Sequence, residues 1–258
     1  MKKNKLYGLI GKPLTHSFSK KYFTEKFEKE GIENCTFELF SLDTIQELTY
    51  LIKENPSLTG LSVTIPYKES VIPFLNRLHS TADAVGAVNC IQIIRSNNEE
   101  PELIGYNTDV FGFQQSIKPF LESQHERALI LGTGGASKAV SYVLKNIGID
   151  CYYVTRDKTK ENINNSGRTF SYDKINENVI RAFKLIINTS PVGMFPNSEL
   201  APAIPYQAIS AGHLLYDLVY NPAETEFLKK GKEQGASVVN GLSMPHQQAE
   251  EAWKIWNQ

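Results

Sequence analysis

Apolar positions along the chain recur at two spacings, and each spacing predicts an element type. Residues 5–10 predict a strand. Residues 19–30 predict an amphipathic helix with Tyr22, Phe23 and Phe27 on one face and Gly31 ending it. The alternation of 36–40 predicts a strand, and Ile45, Leu48, Leu51 and Ile52 predict a helix over 44–53. Residues 61–65 predict a strand closed by Pro66, followed by a helix over 67–78 that Pro73 would shorten or kink. Residues 85–95 and 103–106 predict paired strands joined by a polar turn.

A second alternation starts at a helix predicted over 109–120. A buried strand over 127–131 follows, then a helix over 137–147 with Ala139, Val140, Val143, Leu144 and Ile147 on one face. Further strands are predicted at 151–155, 184–187, 214–219 and 237–239, and a final amphipathic helix at 243–256. Strands alternating with helices imply an α/β fold with parallel, doubly wound sheets. A chain of 258 residues has room for one or two domains, and the break in pattern falls near 107–112, with another candidate at Asn240-Gly241.

Composition changes this picture little. Lys and Arg number 27 against 28 Asp and Glu, so the formal charge is -1 and there is no basic footprint for nucleic acid or a membrane surface. Cys35, Cys90 and Cys151 are sparse, odd in number and without CxxC spacing, which suits a reducing cytosol and gives no zinc framework. The apolar run after Lys5 is too short for a signal peptide, and no stretch reaches the roughly 18 residues of a membrane span. A cytoplasmic protein is expected, with no metal.

The strongest candidate chemistry is Gly132-Thr133-Gly134-Gly135-Ala136-Ser137 between a strand and a helix. Glycines allow a tight turn and close approach to a pyrophosphate, which the free amides of the helix start would hold. Ser137 stands where GxGxxG has its third glycine, and the alternative is a turn without a ligand. The next strand ends at Thr155 and Arg156, with Lys158 and Lys160 close behind. A basic pocket there suits a 2′-phosphate, so NADP is expected over NAD, although Asp157 would partly neutralise it.

Other polar residues sit where strands end. Ser17 and Ser19 would cap a helix or bind a carboxylate or hydroxyls. Lys68 lies at a helix start, against the dipole, where a cation has either an anionic partner or a task. Asn89, in an apolar run, needs a partner if buried, and Asp109 reads as a helix cap. His16 and His246 are assigned no catalytic part.

In order, His16-Ser-Phe-Ser19, Ser62-Val-Thr-Ile-Pro-Tyr-Lys68, Gly86-Ala-Val-Asn89, Asn107-Thr-Asp109 and the glycine loop are followed by Asn188-Thr-Ser190, Tyr216-Asp-Leu-Val-Tyr-Asn-Pro222 and Gly241-Leu-Ser-Met244 with Gln248. Nearly end to end, this set resembles the shikimate dehydrogenase family. The resemblance implies NADPH-dependent reduction of 3-dehydroshikimate to shikimate, on the route to chorismate and the aromatic amino acids. It implies Lys68 and Asp109 as the catalytic pair, with Ser17 and Ser19 on the substrate carboxylate. Thr64, Asn89, Asp109 and Gln248 would bind its hydroxyls, with Tyr220 beside them. Gly132, Thr133, Gly134, Gly135 and Ala136 would carry the pyrophosphate. Thr155, Arg156 and Lys160 would surround the 2′-phosphate, and Thr189, Leu218, Gly241 and Met244 would line the adenosine or nicotinamide regions.

The architecture implied is a substrate-binding domain, residues 1–108 completed by the helix at 243–258, and a Rossmann-like NADP domain at 109–242, with the site in a cleft between them. The partners implied are small molecules, the protein being a monomer or homodimer. Thr155-Arg156-Asp157 departs from the family's usual Asn-Arg-Thr, Ser62 stands for a common Asn, and Cys90 for a usual Thr. The alternatives are a dual quinate/shikimate dehydrogenase using NAD and a noncatalytic nucleotide-binding regulator, which would be expected to lose Lys68 or Asp109.

Overall fold

The computed structural model describes residues 4–14, 17–96, 100–161 and 168–258. His16 lies outside them, as does the side chain of Lys160. In chain order the first strands are β1 (Lys5–Gly11), β2 (Cys35–Ser41), β3 (Leu58–Val63), β4 (Arg77–Leu78), β5 (Cys90–Ile94) and β6 (Glu102–Tyr106). Among them lie α1 (Phe18–Lys29), α2 (Glu47–Glu54), α3 (Tyr67–Ser70) and α4 (Ser80–Val85), and α5 (Thr108–Ile117) follows. Then come β7 (Arg127–Leu131), α6 (Gly135–Asn146), β8 (Asp150–Thr155), β9 (Thr169–Ser171), α7 (Glu177–Ala182) and β10 (Leu185–Asn188). The chain ends with β11 (Leu214–Asp217), α8 (Glu226–Glu233), β12 (Ser237–Asn240) and α9 (Ser243–Trp256).

These elements form two compact units, Met1–Gly112 with Pro245–Gln258, and Phe113–Met244. The first holds a six-stranded sheet in the order β2-β1-β3-β5-β6-β4. It is mixed, not parallel throughout: β5 runs antiparallel to both β3 and β6. The helix predicted over 67–78 is also corrected. It stops at Ser70, Pro73 sits in a 3-10 turn, Ile72–Phe74, and Arg77–Leu78 pairs with β6 as a strand. Proline lacks the N–H that a continuing helix would use and its ring crowds the carbonyl four residues back, so the helix stops short of it. The fold class read from the sequence, α/β, holds.

One face of this sheet is covered by α2 and its neighbours, packing Leu48, Leu51 and Ile52 against Ile10, Leu58 and Leu61. The other is covered by α1 and α9, which join Phe23, Phe27 and Trp256 to Tyr7 and Phe37.

The second unit's sheet is parallel throughout, in the order β12-β11-β10-β7-β8-β9. Numbered within the unit, this is the dinucleotide-fold order 3-2-1-4-5-6 read from the other edge. Its core joins Leu129, Leu131, Val154, Ile186 and Leu215, all buried to 0 % exposure, with Ile180 and Phe227. The direction of winding reverses between β7 and β10, and that is where such sheets open a crevice for ligands. Among the described residues no helix is long and apolar enough to cross a membrane.

Candidate active site

In the first unit, the ends of β3, β5 and β6 deliver three polar side chains to one place. Lys68 Nζ donates to Asp109 Oδ2 at 2.6 Å. Asn89 Nδ2 donates to the other carboxylate oxygen, Oδ1, at 2.9 Å. The Asp109 side chain is buried, at 3 % exposure, whereas the Lys68 side chain keeps 19 %. An ammonium has three donors, and one is committed here, so the others can meet a substrate oxygen.

Asp109 is not the cap of α5, contrary to the simple sequence reading. Asn107 Oδ1 accepts from Val110 N at 3.2 Å, so Asn107 caps the helix while its Nδ2 donates to Ala87 O at 2.8 Å. This leaves the Asp109 carboxylate for Lys68. Asn89 is buried and satisfied, since its Oδ1 also accepts from Thr108 N at 2.6 Å. The amide thereby locks the start of α5, and with it Asp109, to the start of β5.

The remaining substrate candidates are spread across the elements. Ser17 caps α1, accepting from Lys20 N at 3.2 Å, and Ser19 lies half-buried in its first turn. Thr64 follows β3 and is half-buried. On α9, Gln248 is half-buried and Gln247 exposed. His246 on the same helix packs edge-on against Phe18, at 4.7 Å between ring centres, and Tyr22, at 5.4 Å. Tyr220 belongs to the second unit, where burial raises its phenol pKa.

The second unit places the cofactor candidates along the ends of its parallel strands. Gly132 follows β7 with φ +126, a conformation that side chains resist, and a Cβ there would meet Thr189 Oγ1 at 2.6 Å. The turn is thus held against the end of β10, at the switch point. α6 then starts on Gly134, which offers no side-chain cap, and its first turn carries no acidic residue. Nothing lies within 4 Å of a Cβ built on Gly134. Uncapped amides, an open approach and no local negative charge fit a bound pyrophosphate. Ser137 is buried at 1 % and its hydroxyl donates to Gly134 O at 2.6 Å, so serine serves the close packing of the third glycine.

At the end of β8, Arg156 is exposed, while Lys158 is drawn to Asp173 at 3.0 Å. Thr155 is buried, and its Oγ1 accepts from Asp157 N at 3.1 Å. Asp157 Oδ1 accepts from Thr159 N at 3.0 Å and Thr159 Oγ1 at 2.6 Å. Thr189 and Leu218 are half-exposed in the loops after β10 and β11, whereas Gly241 and Met244 are buried.

Comparison with known proteins decides the family. The family described as "Shikimate dehydrogenase substrate binding domain" matches residues 9–91. A shikimate dehydrogenase (NADP(+)) of Carboxydothermus hydrogenoformans is 36 % identical over 98 % of this chain and 91 % of its own. The chain belongs to the shikimate dehydrogenase family. Two solved structures agree. The chorismate mutase/shikimate 5-dehydrogenase fusion protein of Clostridium acetobutylicum matches with a TM-score of 0.85 at 34 % identity, over 98 % of this chain and 91 % of that one. The shikimate 5-dehydrogenase of Thermus thermophilus, solved with NADP(H) and shikimate, matches with a TM-score of 0.81 at 27 % identity, over 98 % and 93 %.

One polar pair was quoted in the sequence motifs without a role. Asn188 and Asp217 end β10 and β11 side by side, each 0 % exposed. Burial pushes the Asp217 carboxyl up to about 6, against the pull of hydrogen bonds from Thr225, Val219 and Asn188. The signal available in this shikimate dehydrogenase family sequence was a polar residue closing an apolar strand, in Leu-Ile-Ile-Asn188 and Leu-Leu-Tyr-Asp217, the same signal that singled out Asn89.

Proposed function

We propose that the chain catalyses the reversible, NADPH-dependent reduction of 3-dehydroshikimate to shikimate. The observation that carries this reading is the anchored Lys68–Asp109 pair, 2.6 Å apart, with Asn89 on the second carboxylate oxygen. When bound, NADPH supplies the hydride. The chain's own residues manage the oxygen that results. An oxygen gaining negative charge needs a proton and a nearby cation. Lys68 meets both needs, and Asp109 keeps the ammonium oriented and shares the proton traffic. Ser17 and Ser19 take the substrate carboxylate, and Thr64, Asn89, Asp109 and Gln248 its hydroxyls, with Tyr220 beside them.

The residues of 132–136, with Thr189, Leu218, Gly241 and Met244, hold the dinucleotide, and Thr155, Arg156 and Lys160 hold its 2′-phosphate. No metal takes part. The protein works in the cytoplasm as a monomer or homodimer, with small molecules as partners.

Spectrophotometric assay of shikimate oxidation with NADP and with NAD, repeated with quinate, tests the reading. Turnover with shikimate and NADP is expected. A preference for quinate or NAD would move the assignment to the dual enzyme, and no turnover would remove it. Lys68→Ala is expected to lower kcat about 10²- to 10⁴-fold while leaving NADP binding in place. Near wild-type turnover would end the catalytic assignment.

A further inference from the structure

The mechanism leaves one buried carboxylate without a task. Asp217 Oδ1 accepts from Asn188 Nδ2 at 2.9 Å and Val219 N at 3.0 Å, and Oδ2 accepts from Thr225 Oγ1 at 2.6 Å. Asn188 extends the network. Its Oδ1 accepts from Ser190 N at 3.1 Å and Ser190 Oγ at 2.7 Å, and its Nδ2 also donates to Val192 O at 3.2 Å. Its own carbonyl accepts from Leu218 N at 2.9 Å. Thr189 is fixed from the other side, with N and Oγ1 both 3.0 Å from Leu131 O.

Burying a carboxylate costs several kcal/mol of hydration unless its hydrogen bonds are well placed. Here the direct donors sit at the end of β10, in the loop that leaves β11 and at the start of α8. The loops after β10 and β11 carry Thr189, Leu218 and Tyr220. Which half of a dinucleotide they face follows from the sheet. The pyrophosphate site is at β7, and the proposed 2′-phosphate residues follow β8, on one side of it. The adenosine half then lies on that side, and the nicotinamide half on the side of β10 and β11.

We propose that Asp217, acting through Asn188, is a positioning residue that shapes the 189–192 and 218–220 loops to receive the nicotinamide half of the cofactor. The proposal rests on the dehydrogenase reading above.

Two variants test it, Asp217→Asn and Ser190→Ala. The first keeps shape and an acceptor, and the second removes from a half-exposed residue the bond to Asn188 Oδ1 and a longer one, at 3.4 Å, from Val192 N. Calorimetry would measure binding of NADP+ and of adenosine 2′,5′-bisphosphate, which lacks the nicotinamide half, beside KM and kcat. Asp217→Asn should weaken NADP+ about tenfold, with adenosine 2′,5′-bisphosphate affinity unchanged. Ser190→Ala should shift binding in the same direction by less. Equal losses for both nucleotides, or no loss for NADP+, would overturn the proposal. If Asp217→Asn does not fold, Ser190→Ala decides it by the same comparison. Absence of turnover in the wild type would instead count against the dehydrogenase reading, because the binding comparison is between variants and needs no turnover.

Discussion

Asp157 brings a negative charge into the place proposed for a 2′-phosphate. Its carboxylate is tied down, with Oδ1 accepting from both the amide and the hydroxyl of Thr159. Asp157→Asn would keep an acceptor for Thr159 and remove the charge. The KM for NADPH is then expected to fall by up to about fivefold, a typical surface electrostatic effect, and the KM for NADH to stay put. The gain should shrink at high salt, because exposed charges are screened. Steady-state assays with both cofactors at two ionic strengths check this. An equal gain for NADH would mean that the charge acts on something other than the 2′-phosphate. Residues of this kind show why the site was only partly legible. Lys68 stood out because a cation at a helix start opposes the dipole. Asp109 fitted a helix cap as well as a catalytic carboxylate, because Asn107, two positions earlier, has the same capping chemistry. Local pattern cannot choose between them. The bond from Val110 N gives the cap to Asn107, and the 2.6 Å contact across 41 residues of chain pairs Asp109 with Lys68.

At the scale of the elements, α9 is fixed to the first unit by its last turn. The Trp256 indole donates to Ile91 O at 3.0 Å, and Gln92 Nε2 reaches back to Ile255 O at 2.7 Å. The indole lies so close over β3 that a Cβ on Gly60 would overlap its ring. Gly60→Ala should therefore overpack a tight contact and cost about 1–3 kcal/mol. For a chain of this size, Tm would fall roughly 2–4 °C for each of those. Gly212→Ala, where nothing lies within 4 Å, should leave Tm almost unchanged. Calorimetric melting of both variants checks the pair, and equal Tm values would mean that the indole can move aside freely. The elements that the apolar pattern found are those with a full buried face, such as β7, α6 and α9. It missed β4, of two residues, and β9, of three, which gain their strand geometry from β6 and β8. It read β5 and β6 as strands paired through a polar turn, and they pair antiparallel, but the wider alternation implied parallel sheets and gave no sign that β5 also runs antiparallel to β3. That direction depends on how the chain returns through α3, β4 and α4, and period-2 alternation carries no record of it.

For the whole molecule, a formal charge of -1 leaves little net repulsion near neutrality, so pH-dependent stability falls to individual groups. Two carboxylates, Glu161 half-buried and Asp173 exposed, act in the usual direction. Hydrogen bonds from Ser171 and ion pairs with Lys174 and Lys158 hold Glu161 and Asp173 down at about 2, so their contribution is present at neutral pH and lost in strong acid. Asp217 acts the other way. Its folded value of about 6 lies above the ordinary 3.8, because burial disfavours the charged form. Between those values the folded state binds more protons than the unfolded chain, so stability falls as pH rises. The contribution is full below about 4 and is lost as pH passes through 6. One pKa unit corresponds to about 1.36 kcal/mol, so the loss is about 3 kcal/mol. Asp217→Asn cannot lose it. Measured by urea unfolding, the variant should therefore gain on the wild type by an amount of that order between about pH 4 and pH 7, whatever its offset at either end. A difference that stays flat across this range would show that the carboxylate is ionised throughout, its three donors having outweighed its burial.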